Sequence, residues 1–471
     1  MKLRTIARDD TDSGSRSGAP VSTLTQCERD LLSGKITSRE LTERSFARIR
    51  DPQGEGKRTF IRVFEEQALA TADASDAMRR AGCPAAPLAG LPISVKDLFD
   101  VAGFTTLAGS TVLADRPPAA HDAVAVARLR AAGAVIVGTT NMTEFANGGL
   151  GLNPHYGTPR NPWDRTNGRI PGGSSSGAAV SVTDGMSVAA IGGDTAGSVR
   201  TPAGLCGIVG FKPTACRVPL RGTIPLAPSL DSIGVLANTV ACCARVDAVL
   251  SGDEPVVADE IAPASLRFAV PKAVVFDGAD AHVTAAFSRA LSVLSRAGCK
   301  ITEIEFAELG ELPKLGGKCS FHVAEGYAWH RQLLARKAAQ YDPIIAMRLA
   351  SGAAITAAEY IDLVNARRDL IDRARTTTRT FDAVLMPTVA VIAPRITDVT
   401  AETAYLKNNF LIIRNAGIAN FLDRCAISLP CHRTGDAPVG LTMMSEAMAD
   451  RRLLCMARGV ETALAETRCG D

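Results

Sequence analysis

The chain has 471 residues, 46% of them hydrophobic and 21% charged, a composition that suits a large buried core. Its 52 basic and 49 acidic residues leave a net charge of +3. That near balance argues against nucleic acid or a membrane surface as the main partner, and no apolar run approaches the ~18 residues that a membrane span needs.

Residues 1–20 are polar, rich in Ser, Asp and Arg, and lack the apolar core of a signal peptide. They read as a flexible segment ahead of one domain over 21–471. Two helices are expected in 21–50, the first capped by Thr25 or Ser22 and ended by Gly34, the second capped by Thr37 or Ser38. Another helix covers 65–81. A short strand, 93–95, delivers Lys96 in apolar company, although a lysine beside Asp97 also fits a solvated ion pair. A helix over 122–132 and a strand over 135–137 make a helix–strand step. A long Gly/Asn/Pro-rich loop follows at 139–162, and its Phe145 and Tyr156 favour an ordered loop. Residues 218–232 hold Pro219, Gly222, Pro225 and Pro228 and read as an extended wall. The stretch 251–264 is linker-like. Strands are expected over 267–270, 301–306, 381–386, 426–429 and 439–443. Helices are expected over 281–297, 319–350, 356–380 and from 450, with a loop at 415–420. Alternating helices and strands predict an α/β architecture around one large sheet.

The densest pattern lies at 171–201. Pro171-Gly172-Gly173-Ser174-Ser175-Ser176-Gly177 is followed by a small-residue run and then by Gly192-Gly193-Asp194-Thr195-Ala196-Gly197-Ser198-Val199-Arg200-Thr201. Small residues let backbone N–H groups come close to a ligand. A serine in such a turn can be a nucleophile, with neighbouring N–H groups to hold an oxyanion; a pair of flexible Gly/Ser loops is the plainer reading. Ser175 is central in a G-x-S-x-G match, but no hydrophobic strand precedes it, as a nucleophile elbow requires. The six histidines, at 121, 155, 282, 322, 330 and 432, show no metal-ligand spacing. Phosphate and dinucleotide fingerprints are missing. The 12 cysteines form no C-x-x-C pair and read as buried thiols of a cytoplasmic protein. With no histidine in a distinctive setting, a lysine whose pKa is lowered by burial is the other candidate base. Lys96 is the first choice and Lys212 the second.

Gly-Gly-Ser-Ser-Ser-Gly, the small-residue run and Gly-x-Asp-Thr-x-Gly-Ser-x-Arg together resemble the amidase signature family of Ser–Ser–Lys hydrolases. Pro92-Ile93-Ser94-Val95-Lys96-Asp97 is similar to its lysine motif, and 207–214, 228–234, 426–430 and 438–441 are similar to further family segments. The resemblance runs from about 22 to 465. It implies a single domain with a large twisted mixed central sheet flanked by helices on both sides, and hydrolysis of a linear carboxamide to an acid plus ammonia or amine. Ser198 would be the acyl-ester nucleophile, Ser174 the bridging serine after a cis peptide bond, and Lys96 the neutral base. Backbone N–H groups of Thr195, Ala196, Gly197 and Ser198 would form the oxyanion hole, and the backbone near Ala146 would line the pocket. Ser175, Asp194 and Arg200 would support the turns. Ala196 and Ser176 stand where many members have glycine, and the Ala196 methyl would narrow the pocket slightly. The resemblance implies no metal or other cofactor, a small-molecule amide as partner, and room for a homodimer. Two alternatives stay open: the glutamine-hydrolysing component of a tRNA-dependent amidotransferase, which needs a partner chain, and a catalytically silent binding component of the same fold. The acyl group would meet segments 319–350 and 390–417.

Overall fold

Eleven strands among the described residues join in one sheet: β1 (Phe60–Val63), β2 (Pro92–Lys96), β3 (Val135–Thr140), β4 (Ala189–Gly193), β5 (Val209–Lys212), β6 (Ile233–Ala237), β7 (Arg267–Pro271), β8 (Lys300–Ile304), β9 (Ala383–Pro387), β10 (Cys425–Pro430) and β11 (Gly440–Ser445). The computed structural model describes residues 22–254, 259–315 and 319–468; the segment 1–20 lies outside them. The strand order is β1-β3-β2-β4-β6-β5-β10-β11-β9-β7-β8. Strand β2 runs parallel to both β3 and β4, and β7 runs parallel to both β8 and β9; the remaining neighbours are antiparallel. This is the expected α/β class with a mixed sheet.

Burial explains the strand sequences. Strands β2, β3, β6, β9, β10 and β11 are buried at every residue. Layers must therefore cover both sheet faces, and such strands carry near-continuous apolar runs instead of alternating ones. Strand β8 is an edge and mostly exposed. Among the described residues no single helix is long and apolar enough to cross a membrane.

Most expected elements appear with ends moved by a few residues, and some differ in kind. The first helix, Leu24–Leu32, is capped by Thr23 and not by Thr25 or Ser22: Thr23 Oγ1 accepts from Gln26 N at 3.2 Å. The second helix has its expected cap, with Thr37 and Glu40 forming a reciprocal capping box. The region 319–350 is two helices, Phe321–Lys337 and Pro343–Ala350, because Pro343 lacks an N–H and starts a new helix behind its cap Asp342. Residues 415–420 are helical, inside Glu402–Phe421, not a loop. Asn415 Nδ2 there donates to Val275 O and Pro387 O, both at 2.9 Å, so the tertiary structure satisfies a side chain that favours turns in isolation. The small-residue run before Asp194 contains strand β4, and β1, β5 and β6 are strands that the sequence pattern does not announce. The stretch 251–264 begins at the end of the helix Val240–Ser251. Residues 255–258 lie outside the description, and Ile261 N donates to Cys455 O at 3.1 Å.

Candidate active site

Strands β2 and β4 are parallel neighbours, paired Ile93↔Ala189 through Val95↔Ile191. Their carboxyl ends therefore open on the same edge of the sheet, where α/β folds place their sites. Strand β2 ends in Lys96, and β4 runs into the turn 194–198. The peptide bond Gly173–Ser174 is cis, and the helix Ser176–Thr183 follows at once. A Cβ on Gly177 would lie 2.4 Å from Thr59 O, so only glycine lets this helix sit so deep. The result is contact between residues far apart in sequence: Lys96 Nζ lies 2.7 Å from Ser174 Oγ, and both side chains are fully buried. Lys96 Nζ also donates to Gly193 O at 3.5 Å. Burial lowers the Lys96 pKa to about 7 against the opposing pull of Asp194 and Asp231.

The second serine turn is fastened beneath by Asp194. Its carboxylate accepts from Gly197 N at 2.8 Å, Val199 N at 3.1 Å, Arg200 Nη2 at 2.9 Å and Asn420 Nδ2 at 2.9 Å. Burial pushes this carboxyl up, but Arg200 and the hydrogen bonds win and hold it at about 2. The two turns are tied together by Ser175 N donating to Ser198 O at 3.2 Å. Ser198 is 7% exposed and faces a cavity of about 420 Å³ with Ala146, Thr195 and Ala196. Its Oγ makes no hydrogen bond among the described residues, so the direct side-chain contact is Lys96–Ser174. The N–H groups of Thr195, Ala196 and Ser198 are also without partners among the described residues.

The family model for amidase matches residues 40–454. The chain belongs to the amidase family. It is an amidohydrolase, an enzyme of amide-bond cleavage. It is 36% identical over 412 residues to a 2-amino-5-chloromuconic acid deaminase from Comamonas testosteroni, covering 85% of this chain and 87% of that one. It is 34% identical over 469 residues to the A component of the glutamyl-tRNA(Gln) amidotransferase from Roseiflexus castenholzii, covering 92% and 94%. A solved amidase structure superposes with a TM-score of 0.85 at 30% identity, covering 94% of this chain and 99% of that one.

Within this amidase framework several expected roles are redistributed. Gly197 is not a free oxyanion donor, because its N–H is held by Asp194. It serves the turn by its backbone: its φ is +102°, and a Cβ there would come 2.3 Å from the Ala416 Cβ. Lys212 is buried but donates to Pro213 O at 2.7 Å and Arg424 O at 2.9 Å, away from either serine, so it is no base for them. Ser175 is the residue before the helix Ser176–Thr183, with Oγ donating to Gly193 O at 3.4 Å, and no strand leads into it. Ala146 and its neighbour Phe145 have φ of 59° and 49°, so the loop bends sharply where it meets the cavity. Glu144 anchors that bend, accepting from Ser110 Oγ at 2.6 Å and Asp342 N at 2.8 Å and meeting His155 Nε2 at 2.8 Å. Two further residues support the turn without a sequence signal for that role: Asp231, which accepts from Thr195 Oγ1 at 2.6 Å, and Asn420. Asp231 lies in a segment the resemblance covers, whereas Asn420 falls where the sequence suggests a loop. His322 and Arg348, also on the cavity wall, carried no signal beyond lying in the segment expected to meet the acyl group.

Proposed function

We propose that this amidase hydrolyses linear carboxamides through an acyl-enzyme on Ser198. The observation that carries the reading is a fully buried lysine 2.7 Å from a fully buried serine, next to a cavity-facing serine on a turn with unpartnered N–H groups. Neutral Lys96 draws the proton of Ser174, and Ser174 draws that of Ser198. Ser198 Oγ attacks the carbonyl carbon while the Thr195, Ala196 and Ser198 N–H groups hold the oxyanion. The Ser198–Ser174 hydrogen bond closes when substrate binds, as such bonds commonly do. The proton then returns through Ser174 to the leaving nitrogen as the C–N bond breaks. Water attacks the ester, gives its proton to the same relay, and the acid leaves with Ser198 restored.

A fluorophosphonate tests this directly. Wild-type protein is expected to take the label at Ser198, and Ser198→Ala to lose both label and amide turnover, the latter by more than about a thousandfold. Folded wild-type protein that takes no label would refute the reading.

Similarity to an amidotransferase component favours a second reading, glutamine hydrolysis with a partner chain. Deamidation of glutamine only on adding such a partner would establish it. Cys27, Cys206, Cys242, Cys243, Cys299 and Cys425 are buried thiols, which supports a reducing, cytoplasmic location.

A further inference from the structure

The cavity wall beside Ser198 carries chemistry that cleaving an amide does not require. Its described lining is largely apolar, with Leu226, Leu315, Phe321 and Phe421, and it contains no Asp or Glu. Yet it also contains Arg414, Arg348 and His322. Arg414 is occupied: its Nε, Nη1 and Nη2 donate to Asn415 Oδ1, Asp277 O and Val275 O. Arg348 is different. Its bond from Nη1 to Asn147 O is 3.2 Å long, and the Tyr405 hydroxyl near it makes no hydrogen bond among the described residues. Among the described residues no carboxylate lies within ion-pair reach of it. His322 stands beside it with Nε2 buried and unpartnered. Burial, and then the Arg348 charge, lower the His322 pKa to about 4, so the ring is neutral at pH 7.

The half-buried Arg348 guanidinium lacks a counter-charge among the described residues, and a buried ring nitrogen without a partner is costly. An anion entering from the cavity removes both: a carboxylate accepts two parallel N–H bonds from a guanidinium, and a neutral imidazole can donate one more. We propose that Arg348, with His322 beside it, binds a carboxylate on the acyl part of the substrate, so that the preferred substrates are amides bearing an anionic group on an apolar spacer. This rests on the amidase reading above. It also sets glutamine apart, because an α-ammonium group meets no acidic side chain in the described lining.

The test compares glutaramic, adipamic and terephthalamic acids with neutral amides of matched shape, using purified full-length protein. For at least one pair, kcat/KM is expected to favour the carboxylate by about 10- to 100-fold, the range for hydrogen bonds to charged groups. Arg348→Gln should bring that ratio close to one. Because the ratio is taken within one protein, any loss of folded enzyme cancels. Arg348→Glu should turn the preference toward ω-amino amides, a gain that misfolding cannot produce. A wild-type ratio near one, or a ratio that survives Arg348→Gln, overturns the proposal while leaving the amidase reading intact. No turnover of any amide, with no labelling of Ser198, overturns both.

Discussion

The proton-transfer role proposed for Lys96 depends on the fold denying it a counter-ion. Among the described residues no carboxylate touches its Nζ, whose partners are Ser174 Oγ and Gly193 O, and burial brings its pKa to about 7. Below that value kcat/KM should fall by about tenfold per pH unit, and above it level off. Asp231 pulls Lys96 upward, so Asp231→Asn should move the midpoint to lower pH; a pH–rate profile reads both, and a flat profile from about pH 5 to 9 would contradict the assignment. Stability gives an independent check. A lysine with a folded pKa near 7 and an unfolded one near 10.4 weakens the fold fully below pH 7, and the penalty fades as pH rises toward the unfolded value. Lys96→Met should therefore gain more stability at pH 6 than at pH 9, by on the order of 2 kcal/mol in urea melts. Equal effects at the two pH values would show that the lysine stays charged.

At the scale of elements, the turn 194–198 depends on the helix Glu402–Phe421. Gly197 packs against Ala416, a Cβ on Gly417 would lie 3.7 Å from the Ala196 methyl, and Asn420 bonds Asp194. Gly197→Ala meets both a φ of +102° and the Ala416 contact. It should lower stability by about 1 to 3 kcal/mol and turnover by well over tenfold, seen in denaturant melts and steady-state assays. A fully active Gly197→Ala would mean that the turn is free to move. The turn's own sequence was legible because its residues stand together: an aspartate, a threonine, a serine and small neighbours in one short stretch. Asn420 was not legible. It acts on Asp194 from 226 residues away, and in isolation an Asn–Gly-rich segment favours a loop over a helix. Strand β4 was hidden for a related reason: glycine and alanine are poor strand formers, and burial on both faces removes the alternation that marks a strand.

Across the whole molecule, the fold class was legible from the alternation of apolar helices and strands, while the strand order was not. Nothing local in β5, β6 or β10 says that β5 lies between the other two. That order brings the ends of β2 and β4 side by side and leaves the far wall of the cavity to later chain. The proposed reacting groups come from 96–198, whereas much of the described wall comes from 309–315, 320–323 and 410–421. Inheritance can thus act on two separable stretches, one holding the reaction constant and one free to drift toward new substrates. Relatives as unlike as a chloromuconic acid deaminase and a tRNA-dependent amidotransferase are what such a chain would leave behind. Substitutions such as Leu315→Trp or Phe410→Ala should re-rank a panel of amides while the pH midpoint set by Lys96 stays in place. A midpoint that moved with the ranking would show that the two stretches are not separable.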